Sequence, residues 1–281
     1  MTAITLTIFD TGYCRQLEAI SLRGGEWRMV PFHALAFGIS HPERGLVLFD
    51  TGYTGHFFDA CRTFPLSLYS KVTPVCTHPA QSVAAQLQNQ GLDPASVRTV
   101  LLSHFHADHI GGVRDFGQAE FVCMKEAYEH VRERRGFAAV RHGFLPPLLP
   151  DDFAERVRFV DEREKVLLSD KCCPFTEAYD VFGDGSVLAV ELPGHAVGQY
   201  GVFLTDENGQ DIFLCADAAW SSRAYRENML PHPLASLIMS DVYAYRETLG
   251  KLHELHRRNP TLRIYPTHCA DVWRLSQEGQ A

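Results

Sequence analysis

The chain has 281 residues, 46% of them hydrophobic and 21% charged, with a formal net charge of -8. That is ordinary globular composition, and the acidic balance excludes a nucleic-acid backbone as the expected partner. No apolar run reaches the roughly 18 residues of a membrane span, and the opening MTAITLTIFDTGY lacks the basic start and long apolar core of a secretory signal, so a soluble, cytoplasmic protein without a membrane partner is expected.

In chain order, β-rich runs stand at ITLTIF (4–9), HALAFGI (33–39), GLVLFD (45–50), VRTVLLS (97–103) and AEFVCM (119–124). Further runs follow at SVLAVEL (186–192), YGVFLT (200–205), DIFLCA (211–216) and LRIYPT (262–267). Several are apolar almost throughout, the pattern of strands covered on both faces. Helices are predicted over Ala80–Gln90, Lys125–Arg135 and Asp241–Arg258. The last carries Val242, Tyr245, Leu249, Leu252 and Leu255 at spacings of three and four, a stripe for packing on a sheet, with Ser240 or Asp241 as its N-cap. The segment GFAAVRHGFLPPLLP (136–150) breaks the alternation and reads as a loop beside a pocket. Strands followed by helices in each half suggest an α/β chain of two packed sheets with helices outside, and one domain over 1–281. The eight cysteines include no C-x-x-C pair, so reduced, mostly buried thiols are expected.

One stretch calls for chemistry. LLSHFHADHIGG places His104, His106, Asp108 and His109 within six residues, just past the buried run TVLLS. Ligand-type side chains at the C-terminal end of a strand are where α/β folds place their sites. His104 and His106 alternate and can converge on one ion, while Asp108 and His109 lie beyond a turn that Gly111 and Gly112 are expected to permit, and can reach a second. Three more ligand-type residues stand just past other strands: His195 in ELPGHAVGQ, Asp217 in FLCADAAW and His268 in IYPTHCADVW.

HFHADHIGG, PGHAVG, ADAAW, the late His268 and LFDTG at 48–52 together resemble the metallo-β-lactamase superfamily, over about residues 4 to 273. The resemblance implies a four-layer αββα sandwich with a dinuclear centre at one edge between the sheets. It implies that His104, His106 and His195 hold one ion, that Asp108, His109 and His268 hold the other, and that Asp217 bridges them. Asp50 would orient a ligand imidazole from behind. Two divalent ions are thus expected, with zinc favoured by the donor set and iron, manganese or cobalt compatible with it.

Within the superfamily, Asp217 argues against the true β-lactamases. The short tail after His268 argues against glyoxalase II, and the extra domains or motifs of the nuclease branches are absent. TGYC, ALAFGISHPERGLVLFDTGY, GLDPASVRTVLLSHFHADHIGG and YPTHCADVW are most similar to N-acyl-homoserine lactone lactonases. That likeness implies a quorum-quenching hydrolase. A metal-bridging hydroxide would attack the lactone carbonyl, and Asp108 would protonate the leaving alkoxide. Two positions depart from the pattern: Trp220 stands where a substrate-contacting tyrosine is usual, and Cys269 where an aspartate follows the last histidine. Trp220, Tyr225 and Phe105 are the candidate substrate contacts, with 136–150 as a candidate acyl wall. The expected partner is a small ester or lactone, and a homodimer is compatible with the sequence. The alternatives are another hydrolase of this fold (arylesterase, thioesterase or phosphodiesterase), an iron-dependent oxidoreductase, or a non-catalytic binding protein.

Overall fold

The computed structural model describes residues 4–278. Two long strands, β1 (Thr5–Leu17) and β2 (Met29–His41), pair antiparallel and begin the first sheet. They run well past the apolar cores visible in sequence, and a bulge between Asp10 and Tyr13 bends β1. This sheet continues through β3 (Gly45–Phe49), β5 (Thr99–Leu101), β6 (Glu120–Cys123) and β7 (Val157–Phe159), with β4 (Val75–Cys76) on the other edge, in the order β4-β1-β2-β3-β5-β6-β7. The second sheet contains β8 (Lys165–Leu167), β9 (Glu177–Asp180), β10 (Val187–Glu191), β11 (Tyr200–Thr205), β12 (Asp211–Ala216) and β13 (Arg263–Pro266), in the order β13-β12-β11-β10-β9-β8. β4, β7, β8 and β9 carried no sequence signal, being only two to four residues long.

The main apolar core joins the two sheets. Phe37 and Phe49 of the first meet Tyr200 and Tyr265 of the second, all buried. A second core lies on the outer face of the second sheet, where the helix Val242–Arg258 buries Tyr245, Leu249, Leu252 and Leu255 against Val190, Leu192, Phe203 and Phe213. Full burial of each of those leucines is worth roughly 1.5–3 kcal/mol. Asp241 is the cap, its carboxylate accepting from the backbone N–H of Tyr243 and Ala244. Val242 is 41% exposed and Thr248 takes the buried face in its place, which shifts the predicted stripe. With helices outside both sheets, the layers are αββα.

The other two predicted helices are shorter than expected. The run Ala80–Gln90 divides at Ser82 into a 3-10 turn (Pro79–Gln81) and the helix Val83–Asn89, because the Ser82 hydroxyl caps the latter by accepting from Ala85 N–H. The other is Lys125–Val131. The 136–150 segment is not a plain loop: it holds the helix Gly136–Arg141 and a 3-10 turn at Pro146–Leu148. Among the described residues no helix is long and apolar enough to cross a membrane. All eight cysteines are free thiols, five of them buried.

Candidate metal centre

The seven predicted donors converge from both sheets. His104, His106, Asp108 and His109 follow β5, His195 follows β10, Asp217 follows β12 and His268 follows β13. Their ligand atoms fall into three overlapping groups, each within 4.8 Å: His104 with His106 and His195; His104 with His109 and Asp217; Asp108 with His109 and His268. All are buried except His106 and Asp108, which are partly open.

Local backbone geometry places them. Asp50 and Ala216 both adopt left-handed φ, +61° and +47°, immediately after β3 and at the end of β12. Such a conformation costs a non-glycine residue about 1–3 kcal/mol and persists only where the surroundings hold it. At Asp50 they do: its carboxylate accepts from Ser103 N–H and Ser103 Oγ–H, each at 2.8 Å, and from His109 Nδ1 at 2.7 Å. Thr51 N–H and its hydroxyl both donate to the His109 carbonyl, and Thr54 Oγ donates to that of Gly111. Gly111 and Gly112 have ordinary negative φ, contrary to the tight-turn expectation. Their smallness serves close approach: a Cβ on Gly111 would lie 2.5 Å from the Gly52 carbonyl oxygen. His195 is fixed similarly. A Cβ on Gly194 would lie 2.1 Å from Tyr245 N, and Ser240 N–H donates to the His195 carbonyl.

The tautomers suit metal ligation. His109 Nδ1–H points at Asp50, and His268 Nδ1–H at the His33 carbonyl. His104 Nδ1–H has Ser103 Oγ at 3.0 Å, whose own proton goes to Asp50. In each ring Nε2 is left as the lone-pair nitrogen turned into the cluster. Among the described residues, His104 Nε2, His109 Nε2 and Asp217 Oδ1 are buried with no hydrogen-bond partner. His268 Nε2 and His195 Nε2 lie 2.9 and 3.1 Å from Asp217 Oδ2. At His268, whose Nδ1–H is engaged by the His33 carbonyl, a lone pair facing a carboxylate at that distance calls for a cation between them, a proton or a metal. The donors therefore fit divalent ions.

The electrostatics divide the site. Burial, reinforced by neighbouring imidazoles, holds His104 and His106 well below the usual histidine range. Burial also acts against charge on His109 and His268, but Asp50, Asp217 and Asp108 outweigh it at His109 and Asp217 does so at His268, so both are raised. Asp217 is held well below the carboxylate range: burial opposes this, and His268, His109 and His195 prevail.

A cavity of about 250 Å³ opens on the cluster, lined by His106 and His195 on one side and by Phe105, Arg141, His142 and Leu237 among others. Phe105 thus reaches it, although mostly packed on Tyr128, Phe144 and Phe153. The 136–150 segment contributes polar Arg141 and His142; its apolar Phe144, Leu145 and Leu148 are buried in the core, which corrects the apolar-wall expectation. Trp220 is buried and does not line this cavity. Its indole N–H donates to Asp217 Oδ2 at 3.2 Å, and its ring meets Phe32 and His195. Tyr225 is not brought to the cluster: the helix Ser222–Arg226 turns it away, its hydroxyl donates to the Ile264 carbonyl, and it lines a different cavity with Arg226, His256 and Arg263. Sequence reading missed Ser103, the His33 carbonyl and Phe32, whose ring stacks on His268 at 4.0 Å.

The chain is similar to proteins named N-acyl homoserine lactonase AttM. It is 29% identical to that of Rhizobium radiobacter over 196 residues, spanning 69% of this chain and 66% of the relative. It is 26% identical to that of Azorhizobium caulinodans, covering 97% of this chain and 96% of the relative. A solved N-acyl homoserine lactone hydrolase, with the product N-hexanoyl-L-homoserine at its catalytic metal centre, shares the fold with a TM-score of 0.70 at 17% identity, covering 98% of this chain and 96% of that one. The model of the metallo-beta-lactamase superfamily matches residues 34–268. That span covers most of the chain, and the chain belongs to the metallo-beta-lactamase superfamily.

Proposed function

We propose that this metal-dependent hydrolase opens the ring of N-acyl-homoserine lactones at a dinuclear centre, zinc by preference of its donors, and so removes an acyl-lactone signal. The observation that carries the reading is the three overlapping donor groups, with Asp217 reaching both ends. The substrate class rests on the lactonase names of the relatives. When bound, the two divalent ions supply Lewis acidity and bring the pKa of water towards neutrality.

The chain supplies the rest. Asp217 balances charge between the two halves, and Trp220 N–H fixes the rotamer of its carboxylate. Asp50 and Ser103 hold the ring of His109, and the His33 carbonyl holds that of His268. Asp108, partly open and with Oδ2 3.5 Å from His268 Nε2, is placed to take the proton released by the attacking water and pass it to the leaving alkoxide. The lactone takes its place in the cavity beside His106 and His195. Turnover of N-hexanoyl-homoserine lactone, an aryl ester and a phosphodiester by one preparation tests this. The lactone is expected to have the highest kcat/KM. A higher value for the ester or phosphodiester would leave the superfamily intact and remove the lactonase reading.

A further inference from the structure

His130 and His142, which line the cavity, belong to a hydrogen-bond chain that the donor cluster does not use. Arg134 Nε donates to the His130 carbonyl at 2.7 Å, and its Nη2 lies 3.3 Å from His130 Nδ1. His130 Nε2 lies 3.4 Å from His142 Nδ1. A guanidinium only donates, so His130 Nδ1 is the accepting nitrogen. In a neutral ring, Nε2 then carries the proton and donates to His142 Nδ1, and His142 in turn carries its proton on Nε2. Burial first, and the Arg134 charge second, push both histidines below their ordinary range, in keeping with neutral rings. Among the described residues His142 Nε2 has no hydrogen-bond partner, and both rings line the cavity shared with His106 and His195.

The turn that carries His142 is pressed against the donors. Gly143 has φ +64°, its carbonyl accepts from Ala107 N–H at 3.0 Å, and a Cβ there would lie 2.5 Å from the His106 ring. Position 143 therefore requires glycine, and the turn that carries His142 is held against the His106 ring.

We propose that Arg134 and His130 are positioning residues that lock His142 as an Nε2–H donor for a carbonyl oxygen on the acyl side of the substrate, so that the site selects lactones bearing an acyl amide over plain alkyl lactones. This rests on the lactonase reading and deepens it. A donor set by tautomer favours substrates that offer it an acceptor, because a substrate lacking one forgoes that hydrogen bond.

The test pairs N-hexanoyl-homoserine lactone with an alkyl γ-lactone of similar length. His142→Ala is expected to lower kcat/KM about tenfold for the amide substrate, mainly through KM, and about twofold for the alkyl lactone. His142→Gln, which keeps an N–H donor, is expected to recover part of the loss. Nitrogen-15 spectra of the histidine rings in the intact protein give a readout independent of turnover: Nε2–H for both rings, with mixed tautomers at His130 in Arg134→Met. Equal losses on both lactones, or an Nδ1–H tautomer at His142, would overturn the proposal. Failure of the wild type to open either lactone would instead remove the lactonase reading, and the substrate oxygen with it.

Discussion

The two ends of the donor cluster are built differently. Around His104, His106 and His195 the first group is all imidazole, and burial keeps His104 and His106 neutral. Around Asp108, His109 and His268 the second is surrounded by carboxylates, which raise both histidines. Asp217 lies between, with His195 and His268 on the same oxygen. On the proposed dinuclear reading, the imidazole end would take its ion without displacing protons at neutral pH, while the carboxylate end would exchange protons for its ion, with Asp50 supporting it from behind.

Removing the shared carboxylate should do the most damage. Asp217→Asn leaves an amide that cannot balance two dications, and kcat/KM is expected to fall roughly a thousandfold or more, with loss of metal from both ends by elemental analysis. Loss from one end only would show that the two groups do not share it. Asp50→Asn should sharpen the contrast further. Its carboxylate fixes His109 Nδ1–H directly, so affinity for the second ion is expected to fall about 10–100-fold, while the first ion, whose His104 reaches Asp50 only through Ser103, is weakened less. Competition against a chelating dye measures both steps; equal weakening of the two would contradict the asymmetry.

Proton competition separates the ends in the same direction. His109 and His268, raised, bind protons at higher pH than His104 and His106, lowered. A metal must displace those protons, so as pH falls from neutral the second equivalent should leave before the first. Metal content after dialysis across a pH series reads this, and simultaneous loss would contradict it.

How much of this the chain disclosed depended on sequence distance. His104 to His109 are contiguous, so their convergence is written in their spacing. Asp217, His195 and His268 each stand at a strand end, visible once the strands are drawn. Asp50 was legible only through a resemblance. The groups that hold the donors were hidden for physical reasons: the His33 carbonyl reaches His268 across 235 positions, and a backbone oxygen has no residue type to advertise it. Tyr225 shows the opposite error. It stands close to Asp217 in sequence, yet one short helix turns its ring to another cavity. Trp220 was noticed as a departure, but its bond to Asp217 depends on a rotamer.

The smallest effect is expected beside the last donor. Cys269 is buried, and its sulfur accepts from Ser222 N–H at 3.2 Å, tying the helix Ser222–Arg226 to the end of the chain. Cys269→Ala should cost about 1 kcal/mol of stability by thermal unfolding and change kcat/KM by only about twofold. A loss approaching that of Asp217→Asn would mean that the donor assignment is wrong.

The proposed dinuclear site consists of two unlike halves around Asp217. Elemental analysis of protein purified without chelator, beside His268→Ala treated identically, tests it most directly. Two equivalents of divalent metal per chain are expected in the wild type and about one in the variant. One equivalent or fewer in the wild type, unchanged in His268→Ala, would place the metal at His104, His106 and His195 alone and rule out a dinuclear site.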